Sequence, residues 1–212
     1  MHTVFALLDD ASAEGHAQAR SRLYTGHAGT LTCADAAGWA GVLQDMQAAL
    51  ARGLYAVPLL SYELGAHLLG IPTKALPGPL AQVLLFERCE VLSASEALAW
   101  LTTRSSGATP AGVANVNANV DEARFVDAIR RIRDYIAAGD TYQVNYTYRL
   151  RFDAFGSNFA LYSRLRARQP VPYGALVGLP DGGAVLSFSP ELSVRHSGDT
   201  LLTRRMKGTA PA

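Results

Sequence analysis

The sequence predicts an α+β fold in which antiparallel β-sheets are flanked by helices. Residues 173–203 contain short strand-type segments separated by Pro, Gly and Asp turns, as in a β-meander. Two other stretches carry apolar residues at three- and four-residue intervals, the period of an amphipathic helix. The 212 residues are 49% hydrophobic and 17% charged, which is typical of a globular chain of one or two domains.

The first segments predict a strand and a hairpin. Residues 3–8 are apolar and form the strand, which the acidic pair Asp9–Asp10 ends. Residues 22–25 and 30–33 are β-type. The glycines in 26–29 predict a hairpin turn between them.

A helix is predicted between Asp35, an N-terminal cap, and Gly53, a C-terminal stop. Its predicted apolar stripe is Trp39, Val42, Leu43, Met46 and Leu50. Residues 54–60 then predict a strand buried on both faces, and Ser61 begins a polar triplet at its end. Such a triplet lines a pocket or simply ends a strand, and the residues alone leave both interpretations open.

Residues 102–112 are polar, contain Gly and Pro, and predict a linker. We therefore expect two domains, residues 1–112 and residues 113–212. The second domain opens with an amphipathic helix that Asp121 caps and Gly139 ends. Its predicted apolar stripe is Phe125, Val126, Ile129, Ile132 and Ile136.

Residues 140–150 alternate like a strand, but they carry amides and aromatic rings where a plain strand has aliphatic side chains. One predicted face is formed mainly by tyrosines, and the other by Thr141, Gln143, Asn145 and Thr147. Polar groups that face the interior need partners from protein, water or ligand. Gln143 is therefore a candidate pocket residue.

Composition and missing motifs exclude several classes. A net charge of +1 without a basic run gives no support for nucleic-acid or membrane binding. No nucleotide or redox motif occurs, and the five histidines show no metal-ligand spacing. Cys33 and Cys89 form no Cys-x-x-Cys motif, and no segment is typical of a signal peptide or a membrane span. We expect a reduced, cytoplasmic chain.

Three blocks resemble the chorismate-utilising enzymes, a family that includes anthranilate synthase component I, aminodeoxychorismate synthase component I, isochorismate synthase and salicylate synthase. The blocks are residues 137–145 (AAGDTYQVN), 187–191 (SFSPE) and 206–209 (MKGT). Residues 7–10 (LLDD) and 61–65 (SYELG) also look like the amino-terminal region of the family. The resemblance implies the amino-terminal part of the two-lobed β-sandwich of anthranilate synthase component I.

The resemblance implies roles for four residues. Lys207 is one of only two lysines, and by itself it is either a solvated lysine in a turn or a nucleophile. In aminodeoxychorismate synthases this lysine is taken to displace the 4-hydroxyl of chorismate, giving an adduct that ammonia opens. Gln143 stands where water-using relatives have a lysine base, which favours amination. Gly208 lets the backbone approach the substrate, and the Thr209 hydroxyl can donate to a carboxylate.

The expected function is therefore that of aminodeoxychorismate synthase component I, an enzyme of the transaminase class. It converts chorismate and ammonia to 4-amino-4-deoxychorismate, for 4-aminobenzoate and folate synthesis, and a glutamine amidotransferase subunit supplies the ammonia. The family also implies Mg²⁺, a Lewis acid that helps the 4-hydroxyl leave. Its ligands in relatives lie beyond the part that this chain matches, so no metal ligand is assigned, and we expect residues 1–212 alone not to turn over chorismate.

Two alternatives stay open. Anthranilate synthase component I is the second enzyme, and Lys207 argues against it because those enzymes have a small residue there. The third possibility is a non-catalytic fragment or regulatory module that binds an amino acid such as tryptophan, as relatives do near their Leu-Leu-acidic segment. In that case Asp10 and Ser61 are the candidate regulatory residues.

Overall fold

The structure, a computed structural model, describes residues 3–12, 21–73, 77–105 and 110–203. The described strands are β1 Phe5–Asp9, β2 Ser21–Cys33, β3 Tyr55–Leu60, β4 Ala81–Leu92, β5 Gly112–Ala118, β6 Leu150–Phe155, β7 Tyr173–Gly178, β8 Ala184–Ser189, β9 Arg195–Ser197 and β10 Thr200–Leu202. The described helices are α1 Trp39–Ala51, α2 Tyr62–Leu68, α3 Ala94–Arg104, α4 Glu122–Ala138 and α5 Asn158–Arg168. A 3₁₀ turn at Ala36–Gly38 precedes α1. Antiparallel strands flanked by helices confirm the predicted α+β class.

The chain forms two compact units. Met1–Arg104 and Tyr162–Ala212 make the first, and Ser105–Leu161 make the second. Strands from both sides of residue 112 share one sheet of the first unit, so these units do not coincide with the predicted domains 1–112 and 113–212. That domain division stays a prediction.

The first unit is built on a six-stranded antiparallel sheet in the order β3-β4-β2-β1-β7-β8. Strand β7, which lies far from β1 in the sequence, pairs with β1 in antiparallel fashion inside the sheet. The two outer strands differ in chemistry. β3 contains Pro58, which has no N–H to donate, whereas β8 has neither a proline nor a charged residue.

Two clusters of buried side chains hold this sheet together. The first packs α1 and α2 on β4, with Val83 and Leu85 against Val42, Ala49 and Leu64. The second contains Ala6, Val57, Leu84, Phe86 and Val177. The predicted stripe of α1 is therefore partly wrong: Ala49 is buried, whereas Leu43 and Leu50 are exposed.

The predicted hairpin at residues 26–29 is wrong. β2 runs through this stretch as one strand of 13 residues and pairs with β4 along its length. The register shifts between His27 and Gly29, which marks a β-bulge. Glycine-rich turns and bulges share the same sequence signal, and only the partner strand distinguishes them.

The second unit contains the hairpin β5–β6 and the helix α4. Asp121 caps α4 by accepting a hydrogen bond from the Arg124 N–H at 2.8 Å, as predicted, and Gly139 follows its last turn. None of the α4 residues is buried, although its stripe of Phe125, Val126 and Ile136 is apolar. Among the described residues, no helix has the length and apolar content needed to cross a bilayer.

Candidate functional site

Gln143 lies in an extended segment that belongs to no sheet. Of the predicted strand 140–150, only Leu150 is in a strand, as the first residue of β6. The alternation of amides and aromatic rings was therefore misread as pleating. The amides and aromatic rings of residues 139–149 instead make contacts within the second unit.

The start of this segment is fixed by the end of α4. Gly139 adopts the left-handed conformation, with φ of 83°. Its N–H donates to the Ile136 carbonyl at 3.1 Å, and the Asp140 N–H donates to the Tyr135 carbonyl at 3.0 Å. A side chain at this φ is strained, so glycine is the residue that lets the chain leave the helix in this direction.

The end of the segment is fixed by Asn119. Its side-chain Oδ1 accepts a hydrogen bond from the Arg149 N–H at 2.8 Å, and its own N–H donates to the Arg149 carbonyl at 3.0 Å. These bonds continue the pairing of Ala118 with Leu150 at the end of the β5–β6 hairpin. Gln143 therefore lies in a segment, residues 139–149, whose two ends are both fixed by hydrogen bonds. We call this segment the tether.

Aromatic contacts hold the middle of the tether against α4. The Phe125 ring meets the Tyr146 ring edge-to-face at a centroid distance of 5.6 Å, and it meets the Tyr148 ring in the same way at 5.9 Å. A shallow depression of about 200 Å³ opens beside these rings, lined also by Asp121 and Glu122. Tyr146 and Tyr148 thus pack against α4 through Phe125.

The polar residues predicted to share one face of this segment form hydrogen bonds with one another. The Thr141 hydroxyl donates to the Gln143 carbonyl at 3.1 Å and accepts from the Gln143 N–H at 3.4 Å. The Gln143 side-chain Nε2 donates to Asn145 Oδ1 at 3.4 Å. The side chain of Gln143 is exposed, so it stands at the surface of the second unit with its backbone and its amide both held.

Lys207, Gly208 and Thr209 lie outside the described residues, as does the neighbouring pair Arg204 and Arg205. The structure therefore does not place these residues relative to Gln143. Their roles stay predictions.

Ser61 caps the short helix α2. Its hydroxyl accepts a hydrogen bond from the Leu64 N–H at 3.2 Å, and its own N–H donates to the Leu80 carbonyl at 2.9 Å. Ser61 also borders an open, mostly apolar groove of about 500 Å³ between α2 and the chain that follows it. Its regulatory role is untested, and its capping role accounts for its hydroxyl acceptor.

Asp10 is held at the end of β1. Its N–H donates to the Ser21 hydroxyl at 3.1 Å, and its carboxylate Oδ1 accepts from the Ser12 hydroxyl at 2.9 Å and from the Ser12 N–H at 3.3 Å. These are the contacts of an Asx-type turn. They leave the predicted regulatory role of Asp10 untested.

The neighbouring Asp9 is the residue that the sequence analysis overlooked. Its fully buried carboxylate accepts hydrogen bonds from the hydroxyl of Ser21 at 3.0 Å and of Tyr162 at 3.1 Å. Arg166 binds it at two points, Nε to Oδ2 at 2.6 Å and Nη2 to Oδ1 at 3.2 Å. An aspartate at the end of a strand gives no sign of this role, because its partners Tyr162 and Arg166 lie on a distant helix.

Tyr162 is completely buried in this cluster. Burial, and to a lesser extent the negative charge of Asp9, raises the pKa of its phenol far above the ordinary value. The ring stacks on Phe188 of β8 at a centroid distance of 5.0 Å. Phe188 belongs to the second block of the resemblance, so here that block serves packing. In the same block, the Ser189 hydroxyl accepts from the Glu191 N–H at 3.2 Å and forms a turn.

The described residues contain no cluster of three or more metal-ligating side chains. Within residues 3–12, 21–73, 77–105 and 110–203, no three His, Cys, Asp or Glu side chains come together as a metal site would require. The buried carboxylate of Asp9 is already paired with Arg166. We therefore assign the metal no ligands here and no step.

Comparison with known proteins places this geometry in context. A family model described as chorismate binding enzyme matches residues 6–212. Among curated relatives, anthranilate synthase component 1 of Streptomyces coelicolor is 40% identical over 108 residues, covering 50% of this chain and 21% of its own. Anthranilate synthase component 1 of Thermus thermophilus is 37% identical over 123 residues, covering 54% and 26%.

Relatives with a different name match equally large parts of the chain. Aminodeoxychorismate synthase component 1 of Klebsiella aerogenes is 33% identical over 116 residues, covering 54% of this chain and 26% of its own. The chain thus spans about a fifth to a quarter of the length of these relatives. Identity alone does not distinguish the two activities.

Proposed function

Because the chain belongs to the chorismate-binding enzyme family, we propose that it takes part in the amination of chorismate to 4-amino-4-deoxychorismate. This is the activity expected of aminodeoxychorismate synthase component 1. The observation that carries the amination part of the proposal is Gln143, a neutral amide at the surface of a segment whose two ends are fixed. The choice of product depends on Lys207. A glutamine side chain cannot take a proton from water, but its amide oxygen can accept an N–H of ammonia.

Lys207 supplies the chemistry in this proposal. Its neutral amine attacks the ring of chorismate, the new N–C bond forms as the 4-hydroxyl leaves with a proton as water, and a covalent adduct results. Ammonia then forms its own C–N bond, and the lysine amine departs. Arg204 and Arg205 lie three and two positions before Lys207 in the sequence, and in this proposal their positive charges favour the neutral form of the amine that the attack requires.

Two further components belong to the proposal. The curated relatives are named component 1, which suggests a second subunit, and we assign the supply of ammonia to a glutamine amidotransferase. Mg²⁺ would be held by residues other than the described ones. Its contribution is to neutralise a chorismate carboxylate and polarise the leaving hydroxyl.

Anthranilate synthase component 1 is the second candidate, favoured by identities of 40% and 37% to two such enzymes. Both reactions use chorismate and ammonia, so Gln143 suits either. Lys207 distinguishes them. Only the first reaction needs a nucleophile on the enzyme at that position.

The product identifies the reaction. The whole product of the gene, from its own start codon to its own stop codon, is expressed in a bacterium that requires 4-aminobenzoate and in one that requires tryptophan. Growth of the first strain alone supports the proposal, and growth of the second alone replaces it by anthranilate synthesis. Failure of both strains to grow, together with no aminated product from chorismate, Mg²⁺ and ammonium in vitro, overturns both.

The Lys207→Ala variant tests the nucleophile. We expect it to abolish growth without added 4-aminobenzoate while the protein remains folded by circular dichroism. Lys74→Ala, which changes the other lysine of the chain, is the matched control. Residues 1–212 alone are expected to be inactive in the in vitro assay.

A further inference from the structure

The polar contacts around Gln143 occupy one end of its side-chain amide. A side-chain amide has an oxygen that accepts hydrogen bonds and an NH₂ group that donates them, and rotation by 180° exchanges the two. In the structure the Nε2 of Gln143 donates to Asn145 Oδ1 at 3.4 Å. This contact uses the donor end of the amide and leaves its acceptor, Oε1, for another partner.

The backbone of Gln143 is held as well, so the side chain starts from a fixed point. Thr141 contacts both the N–H and the carbonyl of Gln143 through one hydroxyl. The Gly139 turn precedes these residues, and the Asn119 bonds to Arg149 follow them. With both ends of the segment anchored, the remaining freedom of Gln143 is rotation of its side chain.

From this geometry we propose that Asn145 is a positioning residue for ammonia. By accepting a hydrogen bond from Gln143 Nε2, it keeps Gln143 Oε1 outward, and this oxygen receives an N–H of the incoming ammonia. The inference rests on the proposed amination, since it concerns the nucleophile of that reaction. The inference goes beyond the proposed function because it gives Asn145 a role and the Gln143 amide an orientation.

The chemistry explains why orientation matters. Ammonia approaches with three N–H donors and must keep its lone pair for the carbon it attacks. An acceptor oxygen binds an N–H and leaves that lone pair free, whereas an outward NH₂ group would itself donate to the lone pair and block the attack. A rotated Gln143 amide is therefore unproductive.

The test compares two substitutions of one residue in the whole gene product. Asn145→Asp keeps an acceptor for Nε2, and Asn145→Leu removes it at similar size. We expect Asn145→Leu to raise the KM for ammonium about three- to tenfold, the value of one hydrogen bond, with little change in the KM for chorismate. Asn145→Asp is expected to stay close to the unsubstituted protein. Val144→Ile, on the same segment, is the control.

A second measurement does not depend on activity. In protein labelled with ¹⁵N-glutamine, the side-chain NH₂ signals of Gln143 are identified by their loss in Gln143→Leu. We expect one amide proton to be shifted downfield and slowed in exchange, a feature that Asn145→Leu removes and Asn145→Asp retains.

The outcomes separate the two proposals. Unchanged ammonium kinetics in Asn145→Leu, or equal losses in both variants, overturns the role of Asn145 while amination stands. If the unsubstituted protein does not aminate chorismate, the proposed function fails. The amide signals then decide the orientation alone, and free-glutamine values for Gln143 overturn it.

Discussion

Arg166 binds Asp9 through two nitrogen–oxygen contacts, of 2.6 and 3.2 Å, although the two residues are 157 positions apart in the sequence. The Asp9 side chain is fully buried, and that of Arg166 is 12% exposed. The pair joins β1 to α5, and Arg166 also donates to the Ala94 carbonyl at 3.3 Å, so it reaches the start of α3.

Replacing Arg166 by methionine should destabilise the protein strongly. The substitution leaves the buried Asp9 carboxylate without its cation, a change that costs about 3–5 kcal/mol. Urea denaturation measures this loss. The double variant Asp9→Asn/Arg166→Met should recover a large part of it, because the unpaired charge is gone. Arg130→Met, which breaks an exposed pair with Asp127, is the control and should leave the midpoint unchanged. A double variant no more stable than Arg166→Met would contradict this explanation.

A second prediction couples Gly174 to Tyr162. A Cβ built on Gly174 would lie 2.6 Å from the Tyr162 hydroxyl oxygen, closer than atoms can pack. Gly174→Ala should therefore cost about 1–3 kcal/mol of unfolding free energy. In the Tyr162→Phe background the obstructing oxygen is absent, so the same substitution should cost less by at least about 0.5 kcal/mol. If the costs of the two substitutions are additive in the double-mutant cycle, a contact other than the Tyr162 oxygen restricts the space beside Gly174.

The raised pKa of Tyr162 predicts a loss of stability in alkali. The unfolded chain releases the phenol proton near pH 10, whereas the folded chain retains it. Above that pH the unfolded state binds fewer protons, so the free energy of unfolding falls, by about 1.4 kcal/mol per pH unit for this one group. Denaturation midpoints measured from pH 8 to 11 should fall less steeply for Tyr162→Phe than for the unsubstituted protein. Parallel curves would mean that Tyr162 titrates normally.

Gly139 provides a prediction for the segment that carries Gln143. Gly139→Ala places a side chain at a φ of 83° and should cost about 1 kcal/mol, whereas Gly139→Asn should cost less because asparagine tolerates this conformation. Hydrogen exchange should also accelerate at the amide of Asp140, which bonds to Tyr135 through this turn. Equal effects of alanine and asparagine would argue against conformational strain as the cause.

The sequence predicted features whose causes are local. Asp121 and Gly139 mark the ends of α4 in the sequence, and both act there as expected, because a cap and a stop depend on a few neighbouring residues. The strand predicted for residues 3–8 is found as β1 for the same reason. The site role of Gln143 stays a prediction, and its contacts with Thr141 and Asn145 are local, within two residues of it.

Features that depend on distant residues could not be predicted. Whether glycines near His27 form a turn or a bulge depends on β4, more than fifty residues later in the chain, and the bulge was missed. The buried role of Asp9 depends on α5. The segment 140–150 was read as a strand because its alternation matched the period of two, whereas Phe125 of α4 accounts for the tyrosines at 146 and 148.

The two outer strands of the six-stranded sheet differ in how readily an additional strand can pair with them. At β3, Pro58 interrupts the row of N–H donors that an added strand would need. In β8, each residue from Ala184 to Ser189 has a backbone N–H, and no side chain carries a charge that would oppose pairing with an added strand. Among the described strands, β8 is therefore better suited than β3 to pair with an added strand. Since no other described strand pairs with β8 on its outer side, a lysine at Val185 is the first substitution to try for a more soluble form.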